Sequence, residues 1–516
     1  MRYRIFLTLC HLMVGLLITA SVCKDSFPYT CNITVDANKI IHRMKGGIGA
    51  SWHAIEEPCQ GYNAGSAWGA NPRLDDDEGW ESLYGYADWL GLNFCRIELE
   101  QRMYQPHKDR FTFDSYEMNV LYRILDWCEK NRVDVFLQQM WNNVPWLLPE
   151  GVGPNGTNRL RLAPGDMKAF AEGLATMVDF LIREKGYTCI KYICINNEPG
   201  HNWSWWQYPD MRPMSITPGL QAVREALDTR KIHIPLSGPD WTDMPEFNSE
   251  RIDFDPYVGA YDIHSYNANF DWNSEEGGYP ISLAMERIKD WRSWATEKNK
   301  PFFITEVGTQ LFGYLLDDPA PGSFKSTLKD VELIIRALNL GVDAFNRWSF
   351  INRGNLDGQW QLVDTWDNER ICLLDRFTPH PNSYYGIGLL TRFNSKYASV
   401  LETSVDGGLW EGNERVFAAC TQSPGGAYTL YVINDGPETF SGQFHLKNMT
   451  RESLYRYRIS REKHEAKKDI RIDPEQIYER KGTGFIFNDD LPPFSITVYS
   501  SFLLKHEARG ILYDQQ

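Results

Sequence analysis

Beyond residue 23, this 516-residue chain has no apolar run long enough to cross a bilayer. It also lacks an excess of positive charge. Lys and Arg number 53 against 68 Asp and Glu, a formal net charge of −15. That balance is a poor match to a nucleic-acid backbone and gives no electrostatic reason to bind an anionic membrane. The ten cysteines form no zinc-finger spacing and no His-Glu-x-x-His segment occurs, which argues against a metal centre. No glycine-rich dinucleotide turn is present. The glycines of GGIGAS (46–51) have the wrong spacing and open no helix, so no nucleotide cofactor is expected. There is no internal repeat and no low-complexity tail, so a repeat array is not indicated.

What is present is the composition of a folded soluble protein, 42% hydrophobic and 23% charged, with 40 Gly and 27 Pro that suit many loops. Single cores rarely grow past ~300 residues, so one large domain and a smaller one are expected. Residues 1–23 read as an export signal: Arg2 and Arg4, an apolar stretch from Ile5 to Ala20, then Ala20 and Ser21. A secreted or periplasmic protein follows. Surface lipidation at Cys23 is the second reading, and Val22 fits it poorly. Cys95 and Cys194 fall in apolar strand runs, where a free thiol behaves as a small apolar residue. Cys31 and Cys59 are candidates for a bridge.

Residues 46–395 alternate strand and helix. Strands are expected at 46–52, 93–98, 133–140, 191–196, 232–237, 260–264, 301–305 and 343–350, with helices at 79–90, 115–131, 164–185, 218–229, 283–298, 326–340 and 384–391. Eight strands alternating with helices predict an α/β fold, a (β/α)8 TIM barrel. From 396 to 510 the texture changes to short alternating runs such as RVFAACTQ, YTLYVIND and FSITVYSS, separated by Gly-containing turns. These predict a C-terminal antiparallel β-sandwich. The segment 24–45, with NITVDANKIIHR, reads as a strand that joins it.

Two glutamates stand at the C-terminal ends of buried strand runs: Glu198 in KYICINNEPG and Glu306 in PFFITEVGTQ. That end of a barrel is where chemistry gathers. A pair of carboxylates there suits acid/base and nucleophile roles at a glycosidic bond. With Asn197-Glu198-Pro199 and Glu306 so placed, the chain resembles the superfamily of retaining (β/α)8 glycoside hydrolases (clan A), most like glycoside hydrolase family 30, with families 39 and 5 as neighbours. The resemblance spans roughly residues 40–510 and its motif support is confined to the strand ends. It implies that Glu198 is the acid/base and Glu306 the nucleophile. Arg96 would hold the Glu306 carboxylate, and Asn197 would bond a sugar 2-hydroxyl. His264 and Tyr266, in His264-Ser265-Tyr266, would face the substrate or the two glutamates. Trp348 would form the platform under the bound sugar.

Further substrate-binding candidates are Trp52 and His53 after strand one, Trp141 and Asn142 after strand three, Trp203 behind the Asn-Glu-Pro motif, and Asp240 and Trp241 after strand five. Arg347 and Arg353 could read an acidic sugar, although ion pairing is the plainer role in so acidic a chain. No metal or other cofactor is expected. The expected partner is a β-linked glycan or oligosaccharide, hydrolysed by double displacement. Two alternatives stay open: a transglycosylase using the same residues, and a carbohydrate-binding protein on an inactive barrel.

Overall fold

The computed structural model describes residues 29–511 apart from 57–68, 141–143, 153–160, 200–205, 243–250, 269–280, 311–323, 353–359, 368, 382 and 466–469. The chain enters through β1, Tyr29–Arg43, and then builds a ring of parallel strands. Barrel strand one is split into β2, Ile48–Ala50, and β3, Trp52–His53. The others are β4 (Phe94–Leu99), β5 (Asp134–Gln139), β6 (Ile190–Cys194), β7 (Ser237–Trp241), β8 (Ala260–Ala268), β9 (Phe302–Gln310) and β10 (Ala344–Arg347). β2 pairs with β10 and β3 with β4, and a parallel bridge from Ile193 to Leu236 joins β6 to the approach of β7, which closes the (β/α)8 barrel.

Helices α1 (Asp77–Leu90), α2 (Tyr116–Lys130), α3 (Met167–Asp179), α4 (Thr217–Thr229), α5 (Ile281–Lys298) and α6 (Phe324–Leu340) cover the ring, and α7 (Tyr384–Thr391) follows it. Their starts are fixed by side-chain caps where the sequence offers them: Asp76 accepts from Gly79 N, Ser115 from Met118 N and Asp166 from Ala169 N. The expected helices lie within a few residues of these. Expected strand five, IHIPLS, is displaced. Ile232 is buried, with its amide bonded to the Leu227 carbonyl at the end of α4, and the ladder strand is the polar SGPDW that follows. An interior that is polar at this point hid the strand from an apolar-run reading. A hairpin of β11 (Val363–Asp367) and β12 (Cys372–Pro379) occupies part of what reads as a loop.

After the barrel come β13 (Ser399–Gly407), the small hairpin β14 (Leu409–Trp410) and β15 (Asn413–Glu414), then β16 (Val416–Gln422), β17 (Tyr428–Asn434), β18 (Phe440–Lys447), β19 (Ser453–Ser460), β20 (Gln476–Glu479), β21 (Phe485–Leu491) and β22 (Ser495–Ser500). Nine strands form one sheet in the order β20-β19-β22-β17-β16-β13-β1-β18-β21. The entering strand β1 lies inside it, antiparallel to β13 but parallel to β18, so the sheet is not antiparallel throughout. Strand alternation gives the sheet two apolar faces. Tyr431, Ile433, Ile496 and Val498 join the core shared with the barrel, while Leu430, Val432 and Tyr499 pack with Ile33, Val35 and Phe444 in a separate core. The interface also buries an ion cluster in which Lys329 of α6 binds Glu332 at 2.9 Å and Asp435, the residue after β17.

The barrel interior has two storeys. Phe94, Phe136, Cys194, Ala260, Phe303 and Ala344, one from each of six strands, pack together as an apolar plug. Because side chains alternate along a strand, the next inward positions are two residues on. They are Arg96, Gln138, Asn196, Asp262, Thr305 and Asn346, all buried and all polar.

Candidate active site

The upper storey and the strand ends just above it gather the buried titratable groups Arg96, Glu98, Glu198, Asp240, Asp262, His264 and Glu306. Glu306 reaches it through a β-bulge. Ile263 pairs with Ile304 and His264 with Glu306 on one side of β9, and Phe345 with Ile304 and Arg347 with Val307 on the other. Thr305 and Glu306 together oppose one residue of each neighbour. Ile304 and Val307 both face the helices, so the extra residue turns Glu306 as well as Thr305 inward. A similar register break in β7 falls between Pro239 and Trp241, and Asp240 is held there at φ +58°. Glu198, just beyond β6, also has a left-handed backbone, φ +44°, and its amide donates to the Asp240 carbonyl at 3.1 Å. Non-glycine residues in that region are uncommon and cluster at functional sites.

Arg96 is fully buried and grips four groups. Nη1 binds Glu306 Oε1 at 2.7 Å and also Glu98; Nη2 donates to Asn197 Oδ1 at 2.6 Å and meets Asp240 Oδ2 at 3.4 Å. His264 Nδ1 lies 2.7 Å from Glu198 Oε1 and 3.2 Å from Glu306 Oε2, while its Nε2 faces Asp240 Oδ1 at 3.0 Å. Tyr266 Oη donates to Glu306 Oε2 at 2.5 Å. One carboxylate oxygen from each glutamate and a ring nitrogen of His264 all fall within 4.8 Å of one another. Asp240 further accepts from Thr305 Oγ1 at 3.1 Å and from Gln138 Nε2 at 3.1 Å.

These contacts set the charges. Burial disfavours the Arg96 guanidinium, but Glu306, Glu98 and Asp240 outweigh it and hold it charged beyond its ordinary range. Burial likewise opposes a charge on His264, and Asp240 and Glu306 overcome it, placing the imidazole well above its usual value. Burial would also neutralise Asp240, yet His264 and Arg96 pull it below the usual carboxylate range. Burial pushes Glu306 up to about 8, against the pull of His264 and Arg96. Asp262, buried beside the Asp240 charge, is pushed up to about 8 as well. Among the described residues, two groups have ligand atoms close enough for a cation, Cys194–Asp240–Asp262 and Glu198–His264–Glu306. Arg96 stands against the acids of both, so a further cation would meet like charge there.

The structure thus brings Arg96, Asn197, Glu198, His264, Tyr266 and Glu306 together. Trp348 adjoins them, its ring 5.7 Å below the Arg96 guanidinium and 4.7 Å from the His53 ring. Other expectations are corrected. Trp52 is fully buried and packs on Tyr84, Trp127 and Phe350, with Nε1 donating to Asn71 Oδ1; it is core, not a sugar contact. Trp241 packs on Phe254 and Trp291 outside the ring, because its register places it on the helix side. Asp240 is fully buried beneath the glutamates and holds their partners instead of a sugar. His53 is also fully buried, with Nδ1 2.5 Å from Glu98 Oε2. Arg347 points to α6 and pairs with Asp330 at 2.9 Å, which removes it as a reader of an acidic sugar. Trp141, Asn142, Trp203, Arg353, Cys59 and the export segment lie outside the described residues.

Glu98, Gln138, Thr305 and Asp262 were not singled out from the sequence. A signal was there: a polar residue at the inward parity of an otherwise apolar strand, as in Arg96-x-Glu98.

Among the described residues, no helix is long and apolar enough to cross a membrane. No curated protein matches the chain. Solved structures with the same fold include a glycoside hydrolase family 30 subfamily 8 xylanase from Clostridium acetobutylicum (15% identity, TM-score 0.59, covering 91% of this chain and 99% of that one). An endo-β1,6-glucanase matches at 14% identity and TM-score 0.59, covering 92% and 94%. A family 51 α-L-arabinofuranosidase from Thermotoga petrophila matches at 13% identity and TM-score 0.61, covering 91% and 100%. At such identities these likenesses concern the fold. The barrel-and-sandwich architecture resembles family 30 with family 5 as a neighbour, and the family model that matches, over residues 54–319, is "Cellulase (glycosyl hydrolase family 5)". With more than half of its length inside that match, the chain belongs to glycosyl hydrolase family 5 and is a glycoside hydrolase.

Proposed function

We propose that the protein is a retaining glycoside hydrolase that cleaves a β-linked glycan or glycoside by double displacement, with Glu306 as nucleophile and Glu198 as acid/base. The observation that carries this reading is the closeness of the two carboxylates, whose nearest oxygens lie within 4.8 Å with His264 Nδ1 between them. Inverting enzymes keep their carboxyls ~6.5–9.5 Å apart to admit a water and retaining enzymes ~5–5.5 Å, so oxygens this close support the retaining class.

The roles follow from the donors. Glu306 receives Arg96 Nη1 and Tyr266 Oη, and the His264 charge stands 3.2 Å away, all of which favour its anion; the His264 Nδ1 hydrogen bond itself goes to Glu198 Oε1 at 2.7 Å. Two buried carboxylates this close do not both ionise readily, so the pair holds one proton. In this reading Glu306 carries the charge in the reactive form, with Arg96 Nη1 and Tyr266 Oη set against the burial that pushes it up to about 8, and Glu198 carries the proton. Glu306 then attacks the anomeric carbon while Glu198 gives its proton to the departing oxygen. In the second step Glu198 takes a proton from water, and the water displaces Glu306 from the sugar. In this reading Asn197, held by Arg96, bonds the sugar 2-hydroxyl, and Trp348 supports the ring. Transfer to a sugar acceptor would use the same intermediate. The export segment and the sugar chemistry fit a secreted or periplasmic enzyme.

The test is mass-spectrometric product analysis over a broad panel of β-glycans and aryl β-glycosides, wild type beside Glu306→Gln. NMR of the first-formed sugar reads the anomeric outcome. Products from wild type alone, formed with retained configuration, are expected. Equal turnover by a folded Glu306→Gln protein, or an inverted anomer, would sink the reading.

A further inference from the structure

We infer that Glu98 is a positioning residue for the nucleophile: it shares Arg96 Nη1 with Glu306 and, through His53, ties that guanidinium to the Trp348 ring. The inference rests on Glu306 being the nucleophile. Three contacts carry it. Glu98 Oε1 accepts from the same Arg96 nitrogen that binds Glu306 Oε1. Its other oxygen, Oε2, lies 2.5 Å from His53 Nδ1. The His53 ring stands edge-on to Trp348, with centroids 4.7 Å apart and planes at 64°.

Glu98 has no exposed surface, so it cannot touch a substrate from where it sits. It occupies the inward position of β4 two residues above Arg96, at the level where an apolar side chain would cost far less to bury. A carboxylate there does two things an apolar residue could not. It fixes the plane of the guanidinium, which has Glu98 and Glu306 on one nitrogen and Asn197 and Asp240 on the other. It also draws off part of the Arg96 charge, so Glu306 stays more basic, and hence more nucleophilic, than one held by an undivided arginine.

Among the described residues, the charged and titratable groups facing Glu306 are Arg96 and Glu98 from β4, Glu198 beyond β6, and His264 and Tyr266 from β8. Asp240 of β7 acts behind His264 and Arg96, and His53 of β3 behind Glu98. Glu98 is one of the two acids among them that push Glu306 upward, Glu198 being the other.

The experiment reads Glu306 directly and needs no substrate. Protein labelled with 13C at the glutamate carboxyl is titrated by NMR, and the Glu306 resonance is assigned by its loss in Glu306→Gln. In Glu98→Gln the shape is kept and the charge is gone, and the Glu306 midpoint is expected to move to lower pH. In Glu98→Asp the charge is kept, and the midpoint is expected to stay near wild type. An unchanged midpoint in folded Glu98→Gln overturns the inference. Should Glu98→Gln fail to fold, Glu98→Asp carries the test on the aryl glycoside that wild type turns over. Its shorter arm cannot span His53 and Arg96 together, so kcat is expected to fall about 10²-fold with KM little changed, and a wild-type kcat overturns the inference. Absence of turnover in wild type counts against the hydrolase roles, while the titration still decides the coupling of Glu98 to Glu306.

Discussion

The two storeys of the barrel interior share six strands, one ladder and one spacing, yet they do opposite work. Phe94, Phe136 and Phe303 fill the lower one with rings 5.4–6.5 Å apart. Two residues up the same strands stand Arg96, Gln138 and Thr305. Backbone geometry therefore does not separate stability from chemistry; the side chain at each inward position does. The lower storey gains by leaving water. The upper one loses hydration and is tolerated because each charge meets opposite charge or a donor, as Arg96 meets Glu98, Glu306 and Asp240.

That contrast can be broken at both levels. The largest effect is expected from Glu306→Gln, with kcat down by at least ~10³-fold and the fold retained by circular dichroism. Phe303→Ala should do the reverse. A cavity in the plug is expected to cost about 3–5 kcal/mol in urea unfolding while the pH profile of the surviving activity keeps its shape. Asp240→Asn should lower kcat by about 10–10²-fold and change the pH profile, because His264 and Arg96 both lose a carboxylate partner. A smaller effect concerns stability. Glu306 titrates at about 8 in the fold against an ordinary value of 4.5, so the folded state binds the proton more tightly. The stability this contributes is present below about 4.5 and lost as pH rises through about 8. The Tm advantage of Glu306→Gln over wild type should therefore widen between pH 5 and pH 9, and a constant gap would contradict it. The smallest effect is expected from Asp262→Asn. Burial and Asp240 already favour the neutral acid near pH 7, so initial rates there should stay within about tenfold of wild type.

Much of this molecule was legible one residue at a time. The alternation of apolar runs with amphipathic stretches gave the barrel, and the Gly-punctuated alternation after Lys396 matched strands of the large sheet. Glu198 and Glu306 stood out as candidates because each is a carboxylate ending an apolar run, and the structure brings the two together. Asp240 and Trp241 were misjudged together, since adjacent residues at a strand end point to opposite sides, and a register break decides which enters the barrel.

The sequence by itself determined the period of each element, the polar residues at inward parity and the acidic charge. Those are local properties, set by side-chain chemistry and the two-residue repeat of a strand. Only the tertiary structure decided that the bulge at Thr305 turns Glu306 inward, that one arginine serves Glu98, Glu306, Asn197 and Asp240, and that β1 crosses to the far sheet. Each depends on how strands distant in sequence align. That alignment is fixed by packing across the closed ring and the sheet, which no single segment encodes.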